Sequence, residues 1–64
     1  MNYRVEELIK SIRHLKDNNE TPESLRTKNN EQIAIQLNLH GIENVNDEFI
    51  DSVKKAFDIL FNPS

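Results

Sequence analysis

The chain contains no cysteine and no tryptophan, and it has one glycine and two prolines among its 64 residues. Without cysteine there is no disulfide and no thiolate ligand for a metal. A single glycine cannot form the glycine-rich loops that cradle phosphates, so P-loop and dinucleotide-binding sites are excluded. Apolar runs are short, whereas a signal peptide needs roughly 7–15 apolar residues and a membrane span about 20. We therefore expect a cytoplasmic protein with no membrane segment.

Its length is near the lower limit for a domain that folds alone. A chain of this size buries only about 60% of its unfolded surface, and its core rarely supplies more than roughly 3–5 kcal/mol. The composition, 36% hydrophobic and 30% charged, is typical of a globular domain. We expect a single helical domain over residues 1–64. Because the chain has no disulfide and no thiolate metal site to stabilise it, we also expect stabilisation by association, either as a homodimer or with another protein.

Charge is distributed unevenly along the chain. Residues 1–30 carry a net charge of +1 and residues 31–64 a net charge of −4, which gives −3 in total. Phosphate neutralisation by Lys and Arg supplies most non-specific affinity for nucleic acid. The acidic second half therefore argues against a nucleic-acid partner. Nine asparagines, with many Ile and Lys residues, suggest an AT-rich coding sequence and a bacterial or phage origin.

The first and last segments have the apolar spacing of amphipathic helices. In the first, apolar residues recur every three or four positions: Val5, Leu8, Ile12 and Leu15. This spacing predicts a helix near 3–17, with Asn2 as its N-cap. In the last segment Asn46 is the expected N-cap of a helix over 46–61, and acidic residues follow in its first turn. These two helices are expected to supply the main core.

The middle segment has two start signals for a helix. Thr21 can cap a helix with Pro22 at its first position, where a missing N–H costs nothing. Asn29 can cap a second start, with Gln32 completing a variant of the capping box. The sequence therefore predicts either one bent helix over 22–40 or a short helix followed by another, with the bend or break near 28–30.

The stretch 32–42, "QIAIQLNLHGI", is compatible with two structures. Ile33, Ile35, Leu37 and Leu39 alternate with smaller or polar residues, as in a half-buried strand. A strand needs a partner, and every other segment here indicates a helix. Gly41, the only glycine, stands where a Schellman motif would end a helix and bring Ile42 against Leu37. We favour the helix, which makes the fold all-α: a small three-helix bundle whose middle helix is bent or broken.

As a helix, this stretch is apolar on two sides. Ile33 and Leu37 lie about 40° apart, and Ile35 and Leu39 form a second pair on nearly the opposite side. Either the bundle covers both pairs, or the second pair is exposed and binds another chain. A helical wheel drawn over the middle segment places Leu25 near this second pair. Leu25, Ile35 and Leu39 are therefore the candidate partner-binding residues.

No enzymatic pattern is present. His14 and His40 lack the spacing of a zinc site, and acidic residues in the first turns of helices are expected without any catalytic role. We expect no catalytic residues, no metal and no cofactor, and hence no enzyme.

The favoured function is that of a small interaction or regulatory protein, phage- or mobile-element-encoded, that binds a protein through an apolar helix face. The alternative is a DNA-binding transcriptional regulator, because "NEQIAIQLNLHGI" followed by a helix resembles a helix-turn-helix in outline. Two features oppose this alternative. The connection is longer than the usual 3–4-residue turn, and the second helix would present Asp47, Glu48 and Asp51 to the DNA.

Overall fold

The computed structural model describes residues 4–62 and contains four helices. They are α1 (Val5–Asp17), α2 (Pro22–Thr27), α3 (Asn30–Leu39) and α4 (Asp47–Phe61). The prediction of an all-α bundle is confirmed, and its middle helix is broken into α2 and α3. Asn2, the predicted cap of the first helix, lies outside the described residues. Arg4 stands at the N-cap position of α1 and makes no side-chain capping hydrogen bond.

Each of the three later helices begins at a side chain that caps it. The side-chain oxygens of Thr21, Asn29 and Asn46 accept hydrogen bonds from the backbone N–H three residues on, at 3.1, 2.9 and 2.8 Å. Thr21 and Asn29 also belong to complete capping boxes. Such a cap contributes about 1 kcal/mol, because it satisfies a backbone donor that the helix leaves unpaired. All three starts agree with the sequence prediction.

The break between α2 and α3 is held by contacts from the loop after α1 and from α4. Lys28, in the two-residue connection, pairs with the carboxylate of Glu20 in the loop after α1. From α4, the ammonium of Lys54 donates to the Lys28 carbonyl at 3.4 Å and to Asn30 Oδ1 at 2.9 Å. Because these bonds join the connection to two distant segments, the break is a fixed feature of the fold.

The end of α3 decides how the alternating stretch folds. The Ile42 N–H donates to the Leu37 carbonyl and the Gly41 N–H to the Asn38 carbonyl, both at 3.0 Å. Gly41 has a φ of +91°, which L side chains rarely adopt. These features define a Schellman motif. The strand interpretation of 32–42 is therefore wrong, and the helix is confirmed.

The same motif ends α1 with asparagine in place of glycine. Asn19 has a φ of +63°, and the Glu20 N–H donates to the Leu15 carbonyl at 3.0 Å. Asn tolerates this left-handed conformation better than most residues. The turn brings Glu20 to its pairing position opposite Lys28.

The core is built around α4, which packs against each of the other three helices. The buried apolar side chains of the core come from every helix and from the loop after α3: Ile12, Leu15, Leu25, Ile33, Leu37, Ile42, Phe49, Ile50, Val53 and Phe57. Helices α1 and α4 run in the same direction. The Arg4 guanidinium lies 4.1 Å from the centre of the Phe49 ring at one end, and the Lys16 ammonium lies 4.7 Å from that of Phe61 at the other.

Candidate docking surface

Helix α3 places its two apolar pairs in opposite environments. Ile33 and Leu37 are fully buried in the core. Ile35 is 56% exposed, and Leu39 is 85% exposed, the largest value among the large apolar side chains that the structure describes. The interpretation in which the bundle covers both sides of α3 is therefore wrong. We call the exposed pair, Ile35 and Leu39, the α3 strip.

Leu25 does not belong to this surface. It is 1% exposed and lies in the core with Ile33 and Leu37. The helical wheel placed it beside Ile35 and Leu39 because it assumed a single continuous helix. The break at Lys28 and Asn29 gives α2 its own axis, so angles measured from α3 do not apply to it. The docking hypothesis therefore keeps two of its three residues.

Leu39 stands at the edge of a cleft between the ends of α1 and α3. The cleft has a volume of about 240 Å³, and its other lining residues are polar: His14, Asn18, Gln36 and His40. The rings of the two histidines stack with their centres 4.0 Å apart and their planes at 24°. Sequence reasoning treated the two histidines separately, because their contact depends on how α1 and α3 meet in space.

Burial lowers the pKa of His14 below its usual value, and the positive charge of a protonated His40 lowers it further. Asp17 acts in the opposite direction by raising the pKa. The Asn18 amide nitrogen lies 3.1 Å from His14 Nε2 and can donate to that nitrogen only when it is unprotonated. The stacked pair is therefore favoured when His14 is neutral.

This environment predicts that the fold loses stability in mild acid. Near pH 6 the unfolded chain protonates His14 more readily than the folded chain does, so the folded state binds fewer protons. The free energy of unfolding should then fall as the pH is lowered from about 7.5 to 5.5. Urea denaturation at each pH, monitored by circular dichroism at a fixed protein concentration, would measure this fall in the free energy of unfolding.

His14→Gln is the matched variant for this measurement, because it cannot titrate. Its free energy of unfolding should change less between the two pH values than that of the wild type. The carboxylates of Glu7 and Glu20 titrate below this window. The hydrogen bond from Arg4 lowers the pKa of Glu7. Burial raises the pKa of Glu20, but hydrogen bonds from Lys28 and Ser24 outweigh it and hold the pKa below its usual value. A wild type that is more stable at pH 5.5 than at pH 7.5 would contradict the prediction.

The described surface offers no arrangement for metal chemistry. Among residues 4–62, no group of three or more His, Cys, Asp or Glu side chains lies close enough to hold a metal ion. Within the same range, no helix combines the length and the apolar composition that crossing a bilayer requires.

A second apolar surface lies where α1 and α4 meet, and its exposure was not predicted from the sequence. Val5, Ile9 and Leu60 line clefts there and are between 49% and 63% exposed, and Ile59, next to Leu60 on α4, is 74% exposed. Val5, Ile9 and Leu60 have the helical spacing that is typical of core-facing residues. We call these four side chains the α1/α4 seam.

No protein-family model, no curated protein and no solved structure matches this chain.

Proposed function

We propose that this chain is a small non-enzymatic regulatory protein that binds another protein through the α3 strip. The exposure of Leu39, at 85%, is the observation that supports the proposal most directly. Contiguous exposed apolar surface marks interaction sites, whereas single exposed apolar residues are normal. The opposite pair on the same helix is fully buried, so α3 is anchored in the core on one side and presents the strip on the other.

The shape of the strip fits one established binding mode. Ile35 and Leu39 are four residues apart and project from the same side of α3, one turn above the other. Such i,i+4 pairs anchor a helix in the apolar groove of a partner. Exposed polar side chains flank the pair on α3: Glu31, Gln32 and Asn38. The partner expected is a protein with an apolar groove bordered by polar groups.

The described charges favour a protein partner over a nucleic acid. The start of α4 exposes Asp47, Glu48 and Asp51, where a helix-turn-helix protein would contact the major groove. Residues 40–46 connect α3 to α4, and this connection is longer than the usual turn of a helix-turn-helix motif.

The proposal is tested with a double substitution that removes the strip. The Ile35→Ser/Leu39→Ser variant should keep the circular dichroism spectrum of the wild type, because both side chains are exposed. A tagged wild-type chain and this variant would be compared in cross-linking pull-downs from the source cells. A partner protein captured by the wild type should be lost from the variant.

Ile59→Ser/Leu60→Ser is the matched control, because it makes the same kind of change on the other apolar surface. It should retain the partner. A partner that remains bound to the α3 variant would overturn the proposal. Capture that disappears after nuclease treatment would overturn it too, because it would point to a nucleic acid.

A further inference from the structure

The α1/α4 seam is apolar along most of its length. Ile9 and Leu60 line one cleft of about 240 Å³ toward the end of α1. Val5, one turn before Ile9, lines a second cleft near the start of both helices, together with Ser52 of α4. Ile59 lies two turns after Ser52 and therefore on the same side of α4. Val5, Ile9 and Leu60 thus line two clefts along the same pair of helices, and Ile59 lies on the side of α4 that carries Ser52.

The two ends of this surface carry opposite charges. At the start, Arg4 and Glu48 line the cleft, and Arg4 is paired with Glu7 at 2.8 Å, which leaves the charge of Glu48 uncompensated. At the other end, two cations and one carboxylate line the cleft: Arg13, Lys16 and Asp17. The start is therefore acidic and the end is basic.

Two of these charges are unpaired among residues 4–62. Among the residues that the structure describes, the side chains of Arg13 and Glu48 form no ion pair. Both residues are exposed. A second chain that approached the seam could therefore pair with either charge without breaking an existing bond.

From this pattern we infer that the α1/α4 seam is a homodimer interface, in which two copies pack antiparallel about a twofold axis. Antiparallel packing places Arg13 of each copy opposite Glu48 of the other, twice in one symmetric interface. Ile9 then lies near the middle of the interface, and Leu60 at the basic end of each copy lies opposite the start of the other copy, where Val5 is exposed. Parallel packing would instead place cations against cations at one end, which costs binding free energy.

The short length of the chain is a second reason to expect that another copy of it covers the α1/α4 seam. A 64-residue chain without cysteine has few means of stabilisation beyond its own core. Covering four half-exposed aliphatic side chains removes apolar surface from water in both copies at once. The acidic and basic ends needed for recognition are both present on the same chain, so no other molecule has to supply them. This interface is independent of the α3 strip, which stays open in the dimer.

Sedimentation velocity over a range of protein concentrations tests the inference. The wild type should sediment as a species of twice the 7.5 kDa chain mass, and it should dissociate on dilution. Arg13→Glu and Glu48→Arg should each raise the dissociation constant at least about tenfold, because each places like charges opposite one another twice. A wild type that stays monomeric throughout overturns the inference.

Mixing the two variants gives the decisive comparison. An equimolar mixture of Arg13→Glu and Glu48→Arg should form a heterodimer with nearly wild-type affinity, because every contact again joins opposite charges. Simple damage to the fold could not be repaired in this way. Glu23→Arg is the matched control, since Glu23 is also exposed in the first turn of a helix, but on α2. It should dimerise as the wild type does, and failure of the mixture to associate overturns the inference.

A pair of leucine substitutions distinguishes the two apolar surfaces. Leu60→Ser should weaken the dimer by about the same factor as the charge reversals, whereas Leu39→Ser should leave the dissociation constant unchanged. The reverse pattern would assign self-association to the α3 strip and overturn the inference. The proposed binding of another protein is read out separately, by the Ile35→Ser/Leu39→Ser pull-down.

Discussion

Replacing Phe57 with alanine is expected to unfold most of the protein at 25 °C. The ring is fully buried on α4, the helix that contacts the other three, and its centre lies 4.7 Å from that of Phe61. Truncating a buried phenylalanine to alanine costs about 3–5 kcal/mol, from lost burial and from the cavity left behind. A core of this size supplies roughly the same amount. One substitution can therefore cancel the stability of the whole domain.

Far-ultraviolet circular dichroism and urea denaturation at low protein concentration would measure the effect of Phe57→Ala. Low concentration matters because association would mask the loss by mass action. Phe57→Leu is the control, since it keeps an apolar side chain and leaves a smaller cavity, so it should stay folded with reduced stability. An alanine variant that unfolds cooperatively near the wild-type urea midpoint would show that Phe57 is not central to the core.

The boundaries of the helices could be predicted because they depend on local chemistry. Thr21, Asn29 and Asn46 each cap a helix through a bond to a backbone N–H three residues away. Gly41 ends α3 through its own left-handed conformation. Interactions over three to five residues can be identified in a sequence without knowing how the helices pack.

The exposure of individual apolar residues could not be predicted in the same way. Periodicity shows which residues share one side of a helix, but not which side another helix covers. Leu25 was assigned to the wrong surface because the break at Lys28 resets the helical phase. Ile9 and Leu60 follow core-facing stripes, yet remain about half exposed or more, because no described element covers the flank where α1 meets α4. These outcomes depend on tertiary packing.

The variants Leu37→Ala and Leu39→Ala test whether one side of α3 belongs to the core and the other is exposed. Both replace a leucine of α3 with alanine, so only the position differs. Leu37 is fully buried and packs in the core with Ile42, the residue that closes the Schellman motif. Its truncation should lower the free energy of unfolding by about 2–5 kcal/mol. Leu39 is 85% exposed, and its truncation should change that free energy by no more than about 0.5 kcal/mol.

Both free energies are obtained from urea denaturation of the two variants under identical conditions, at two protein concentrations. A large difference between the variants would confirm that the two apolar sides of α3 have separate roles. If Leu39→Ala is as destabilising as Leu37→Ala at both concentrations, Leu39 belongs to the core and the α3 strip does not exist. If its cost rises with protein concentration, Leu39 is covered by a second copy. Self-association would then involve the α3 strip, and the assignment of the dimer interface to the α1/α4 seam would be wrong.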